Sequence, residues 1–179
     1  MKSILLQLNF LFIHIINSLL LVMLYPFSNL LFLLIGIKVP YSSCIHRKVK
    51  IFSLGKMKLG KNCVINSGCY LDNRRGIYLG NNVGIAHDTK IYTLGHDIDN
   101  PYFPTKGAPV YIDDDVFVFS NALIMPGVRL SRGTIVLPGS IVTKSTEPFS
   151  VVGGNPARYI RERNKEVHYK LNYRYWFAI

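Results

Sequence analysis

His96 and Asp97 stand side by side at the opening of an interval rich in glycine, proline and aromatic residues, YTLGHDIDNPYFPTKGAPVY. An imidazole with its ordinary pKa of about 6.5 is mostly neutral at neutral pH, so it can take a proton from a hydroxyl. A nearby carboxylate, Asp97 or Asp99, can hold its tautomer, although adjacent side chains often point apart. Taken alone, His96 is equally a surface histidine with no role. Its competitor His87 lies nine residues earlier, after Ile85-Ala86, and reads as a solvated turn residue. Arg158 and Arg161 are three apart in a stretch that reads as a basic helix from about Ala157, which puts both on one face. Their guanidinium forks suit phosphate, and a solvated face is the plain alternative. Cys44, Cys63 and Cys69 are an odd set without C-x-x-C, which fits a reducing compartment. Cys63 and Cys69 read as small inward core residues, not as a metal site or a disulfide.

The elements that must hold these residues are written in a six-residue beat. Ile112, Val118, Ile124, Leu130, Val136 and Val142 fall six apart, and four residues after each comes Val116, Ala122, Val128, Thr134, Ser140 or Thr146. Leu59, Ile65 and Leu71, then Leu79, Ile85 and Ile91, keep the same spacing, and Ile45, Ile51 and Met57 keep it weakly. Period six fits neither a helix nor a simple strand, but it fits a solenoid in which three hexapeptides make one triangular turn and stacked turns share a core. Glycine and asparagine at Gly60, Asn62, Gly68, Gly80, Asn81 and Asn82 mark the corners. The beat fails between Ile91 and Ile112, so residues 94–109 read as a loop thrown off one corner, where function tends to sit.

The chain of 179 residues has a net charge of +11 and 49% apolar residues, with room for one modest domain and an appendage. A basic balance points to an anionic partner, and with no nucleic-acid motif present, nucleic acid is the least favoured kind. From Ser3 to Ile37 there is no Asp, Glu, Lys or Arg. The run up to Pro26 is long enough to cross a bilayer, for which about 20 residues suffice; no small-residue cleavage site follows it. One spanning helix, a shallow helical hairpin broken at Pro26, and an apolar bundle packed on a neighbouring subunit all remain open, and membrane association without firm spanning is the reading favoured here. Lys38, Arg47, Lys48 and Lys50 after the segment bias its C-terminal side to the cytoplasm. Three regions result: an apolar helical segment over 1–40, a solenoid over 41–156, and a basic, aromatic helix and tail over 157–179. The tail either caps the open end of the solenoid or adds to the membrane face.

The motifs IYTLGHD, PVYIDDDVFVFSNALIMPGVRLSRGTIVLPGSIVTK and GGNPARYIRER, in that order, resemble the hexapeptide-repeat acyltransferases, among them galactoside and maltose acetyltransferases and the O-acetyltransferases of bacterial surface polysaccharides. The resemblance covers about residues 45–164. It implies an all-β fold, a left-handed parallel β-helix, assembled as a homotrimer with acetyl-CoA as donor. His96 occupies the position of the family's catalytic histidine. Asn66 matches, weakly, an asparagine that contacts the acceptor, and is otherwise a turn residue. Ser120, Gly139 and Thr143 match small corner residues along the pantetheine arm, and Lys144, Arg158 and Arg161 are the candidates for the CoA phosphates. Phe117 stands where Trp is common, Phe119 where Gly or Ala is usual, and Pro138 where Ala is usual; a bulky Phe119 narrows the thioester path or shifts the acyl group accepted. The γ-class carbonic anhydrases share the fold but need three zinc histidines, so His87 and His96 disfavour zinc and no metal is expected. The expectation is an O-acetyltransferase acting on an envelope saccharide or its lipid-linked precursor at the cytoplasmic face of the bacterial inner membrane. A non-catalytic scaffold on the same solenoid is the alternative.

Overall fold

The six-residue beat is the stacking period of three narrow sheets, whose strands are two or three residues long over most of the body. On the first face of the computed structural model, which describes residues 2–175, Ile45 pairs with Ile65, Ile65 with Ile85, Ile85 with Val118 and Val118 with Val136, all in parallel. The second face stacks Ile51, Leu71, Ile91, Ile124 and Val142 in the same way. The third stacks Met57 under Ile77, and Leu79 under Ile112 and Leu130. In a two-residue strand one side chain points in and the next points out. The inward ones form a single buried core from the first coil to the last. Each such aliphatic contributes about 1.5–3 kcal/mol by leaving water. The residue four later lies beside a corner, where space is short: Val116, Ala122, Val128, Thr134 and Ser140 are buried, whereas Thr146 is half-buried on the last, incomplete coil. Thr134 Oγ1 and Ser140 Oγ have hydrogen-bond partners there. Corners turn through left-handed residues, Asn62, Asn82, Asp88 and Asn121 among them, types whose short polar side chains tolerate that conformation.

The apolar N-terminus forms two helices, α1 (Lys2–Val22) and α2 (Phe27–Leu34), separated at Pro26. They cover the open end of the first coil. Ile16, Leu20 and Phe32 join the solenoid core. The Asn17 amide donates to Ile51 O and accepts from Ile51 N, both at 2.9 Å, so it satisfies the edge strand that the first coil would otherwise expose. The opposite side of the pair is bare: Leu5, Leu8, Phe12, Leu30 and Leu34 are exposed. By length and composition Ile4–Val22 suffices to cross a bilayer.

Residues 157–162 are not the expected helix. Ala157–Glu162 is a strand, antiparallel to Ser150–Gly154 and shifted in register at Val151/Val152. Ser150–Gly154 is the last strand of the first face, and its free edge demands a partner; the chain turns at Gly154–Pro156 and supplies one. The i, i+3 spacing of Arg158 and Arg161 therefore does not mark a helical face.

The described part of the tail does not cap the C-terminal open end. It runs back down the solenoid as a strap. Arg163 Nη1 donates to Asp115 O at 2.8 Å and Gly133 O at 3.0 Å; the Asn82 amide binds Tyr169 O and Leu171 N; Cys44 Sγ donates to Tyr173 O at 3.4 Å; and Arg174 lies 5.1 Å over the Tyr41 ring. Each contact is nearer the N-terminal end than the one before. Trp176–Ile179, the end of the aromatic tail, lie outside the described residues, as does Met1.

Candidate functional site

The interruption after Ile91 is a β-hairpin, Leu94–His96 paired with Thr105–Gly107, His96 opposite Thr105. Buried Thr93 fixes its base, donating from Oγ1 to Asp72 O at 2.6 Å and accepting from Arg75 N at 2.9 Å. His96 is exposed, and its Nδ1 lies 2.9 Å from Phe103 O. A carbonyl only accepts, so Nδ1 carries the hydrogen and the neutral ring presents the Nε2 lone pair outward. The Phe103 ring stacks on the imidazole, centroids 4.5 Å apart and planes 7° apart. Phe103 itself sits at φ +46°, a left-handed conformation that is costly for a large side chain, held by its N–H to Asn100 O at 2.9 Å.

Asp97 does not take the orienting role expected of it. Its carboxylate accepts from Lys106 Nζ at 3.0 Å, and that hydrogen bond holds its pKa below the usual carboxylate range. The orienting group is a backbone carbonyl, which no residue type advertises.

The other expected residues fall on two edges of the triangular prism. Asn66, Ser120 and Gly139 lie at the corner between the first and second faces, on different coils of one column with His87: Asn121 N donates to His87 O and Gly139 N to Ser120 O, both at 3.0 Å. Gly139 has φ +67°, and a Cβ there would meet nothing within 4 Å, so the corner is open to a close-approaching ligand. Exposed Phe119 tilts against Phe117 of the adjoining strand on the first face, 4.9 Å between centroids. His96, Thr143 and Lys144 belong to the next edge, between the second and third faces. Lys144 and Arg158 share a cleft of about 380 Å³ at the C-terminal end. Arg161 does not line it and donates instead to Glu162 O.

A further cavity, about 340 Å³, opens beside the first corner, lined by His46, Asn66, His87, Phe117, Tyr173 and Tyr175 among others. His46 follows Ile45 as Asn66 follows Ile65, so the repeat register carries the signal that links them. Burial pushes the His46 pKa down, and its Nε2 lies 3.5 Å from Cys44 Sγ. The three thiols are free and buried; burial pushes Cys44 and Cys69 up to about 12, and Cys63 upward. Among the described residues no group of three His, Cys, Asp or Glu side chains is arranged to hold a metal ion.

This layout offers an exposed imidazole, an open corner of backbone groups and a cleft that holds Lys144 and Arg158. No family model matches the chain. Chloramphenicol acetyltransferase of Klebsiella aerogenes is 29% identical over 122 residues, which are 63% of this chain and only 58% of that protein's length. A probable macrolide acetyltransferase of Lysinibacillus sphaericus is 31% identical over 126 residues, covering 68% of this chain and 69% of the relative. Among solved structures, a galactoside acetyltransferase in complex with coenzyme A superposes with a TM-score of 0.76 at 23% identity, over 90% of this chain and 86% of that one, a likeness of fold. With the hexapeptide stacking, the hairpin histidine and the macrolide acetyltransferase match together, the chain belongs to the hexapeptide-repeat acetyltransferases.

Proposed function

We propose that the protein transfers an acetyl group from acetyl-CoA to a hydroxyl of an envelope saccharide or of its lipid-linked precursor. The observation that carries this is the His96 imidazole, pinned at Nδ1 by Phe103 O and, among the described residues, without a partner at Nε2. Nε2 takes the hydroxyl proton as the hydroxyl oxygen attacks the thioester carbonyl. The tetrahedral intermediate collapses, the C–S bond breaks, and the imidazolium returns the proton to the leaving CoA sulfur. No covalent enzyme intermediate is needed. The open Ser120–Gly139 corner suits the pantetheine arm, and the Lys144–Arg158 cleft suits the phosphates. The coenzyme A complex of the galactoside acetyltransferase supports both the donor and a sugar acceptor.

Within one chain the base and the Ser120–Gly139 corner lie on different edges, which supports a homotrimer in which His96 of one copy faces the corner of the next. The bare apolar side of α1 and α2, followed by Lys38, Arg47, Lys48 and Lys50, supports a shallow anchor on the cytoplasmic face of the bacterial inner membrane. Asn17, tied to Ile51 through both amide atoms, argues for a helix laid against the solenoid rather than one spanning away from it.

The test is thermal stabilisation by CoA together with acetyl transfer. CoA stabilises the wild type, Lys144→Ala/Arg158→Ala loses most of that shift, and His96→Ala keeps it while losing about 10²–10⁴-fold in kcat. No CoA shift in the wild type, or undiminished transfer by His96→Ala, refutes the proposal.

A further inference from the structure

The described part of the strap reaches a cleft that the acyl-transfer site does not use. Tyr25, Tyr41, Asn172, Arg174 and Tyr175 enclose about 320 Å³ at the foot of the solenoid. Arg174 is its cation. The guanidinium is held from one side, with Nε donating to Asn172 Oδ1 at 2.8 Å, Nη1 donating to Tyr41 O at 3.4 Å and the plane lying over the Tyr41 ring, and among the described residues it makes no ion pair with a carboxylate. Tyr41 is 82% exposed.

Two neighbours give the cleft its meaning. On one side Tyr25 stands at the break between α1 and α2, whose outer sides are bare Leu and Phe. On the other, Tyr175 also lines the cavity of Asn66, His46 and His87. Tyr25 thus joins the cleft to the break between the apolar helices, and Tyr175 joins it to a pocket with amide and imidazole groups. Tyrosines with an apolar body and a polar tip suit the level of lipid headgroups. A guanidinium fork whose Nη2 N–H groups have no partner among the described residues suits a phosphate.

We infer that this cleft binds the phosphate of a lipid-linked saccharide, with its lipid against α1 and α2 and its first sugar toward Asn66. The inference rests on the acyl-transfer reading for the acceptor's class. A sugar nucleotide presents the same phosphate chemistry without a lipid, and the bare apolar helices that meet at Tyr25 favour the lipid-borne form.

The experiment measures binding to the full chain in detergent with farnesyl diphosphate, inorganic pyrophosphate and UDP-glucose as probes. Farnesyl diphosphate binds the wild type; pyrophosphate and UDP-glucose bind about tenfold or more weakly; and Arg174→Gln weakens farnesyl diphosphate by about tenfold or more, the worth of one charge-assisted contact. Arg174→Lys recovers part of that loss. Unchanged CoA stabilisation of both variants certifies their fold. Farnesyl diphosphate binding that is indifferent to Arg174→Gln, or UDP-glucose bound as tightly, overturns the inference. A wild type that binds farnesyl diphosphate but not CoA instead overturns the acyl-transfer reading and leaves the cleft standing.

Discussion

Asn82 ties the strap to the solenoid, and changing it tests whether that tie is energetic or incidental. Its Nδ2 donates to Asp115 Oδ1 and Tyr169 O, each at 3.0 Å, and its Oδ1 accepts from Leu171 N at 2.9 Å. Its backbone sits at φ +59°. Asn82→Ala removes three hydrogen bonds, together about 3 kcal/mol at about 1 kcal/mol each. Tyr169 is 41% exposed, so its carbonyl regains water, which lowers the sum to about 2 kcal/mol. An alanine in the left-handed region adds about 1 kcal/mol, for a total near 3 kcal/mol. Asn82→Gly loses the same hydrogen bonds but accepts the backbone; its extra freedom when unfolded offsets part of that gain, so it falls about 0.5 kcal/mol short of the alanine variant. Urea unfolding of the full chain reads these differences. Amide hydrogen exchange over 165–175 reads the strap directly, with Leu171 N–H losing protection in both variants. If Asn82→Ala unfolds within about 0.5 kcal/mol of the wild type and the strap keeps its protection, the anchoring argument is wrong.

Two further outcomes follow from the sites around it. Burial holds the His46 pKa down, so the folded chain binds fewer protons than the unfolded one once pH falls below about 6.5; stability is full above that value and declines below it. His46→Gln flattens the fall in Tm between about pH 7.5 and 5.5, and equal slopes for the two proteins rule the account out. Phe103→Ala keeps the carbonyl but removes the ring stacked on His96, so kcat for acetyl transfer drops about tenfold while KM for acetyl-CoA holds; a change confined to KM contradicts the positioning role.

The solenoid was legible because its physics is local and repeated. Ile65, Ile85, Val118 and Val136 occupy equivalent inward positions, and each position selects the same residue class. Corners were legible for the same reason, through asparagine and glycine. What escaped depends on backbone atoms or on distant partners. The strand over Ala157–Glu162 answers the free edge of Ser150–Gly154, a demand the arginine spacing does not express. The strap is held largely through Tyr169 O, Leu171 N and Tyr173 O, which any residue could supply. Phe103 orients His96 by its carbonyl, so its identity carried no warning, whereas Asp97 had the expected chemistry and faces Lys106 instead.

The place of the interruption follows from the edge it grows on. The first two coils already widen there: Phe52 to Lys56 and Asp72 to Gly76 fill that corner, held by the Asn73 amide, which accepts from Phe52 N and Ser53 N and donates to Ser53 O and Gly55 O. Thr93 extends that bonding upward to Asp72 and Arg75 and becomes the root of the hairpin. A hairpin rooted in so saturated a corner has little freedom to swing, so His96 stays on its own edge while the Ser120–Gly139 corner stays on another. Flexibility of one chain is therefore a poor way to unite His96 and that corner, which supports the homotrimer proposed above. The same rigidity makes Phe103 consequential: once the hairpin root is fixed, the stacked ring and its carbonyl decide where Nε2 points.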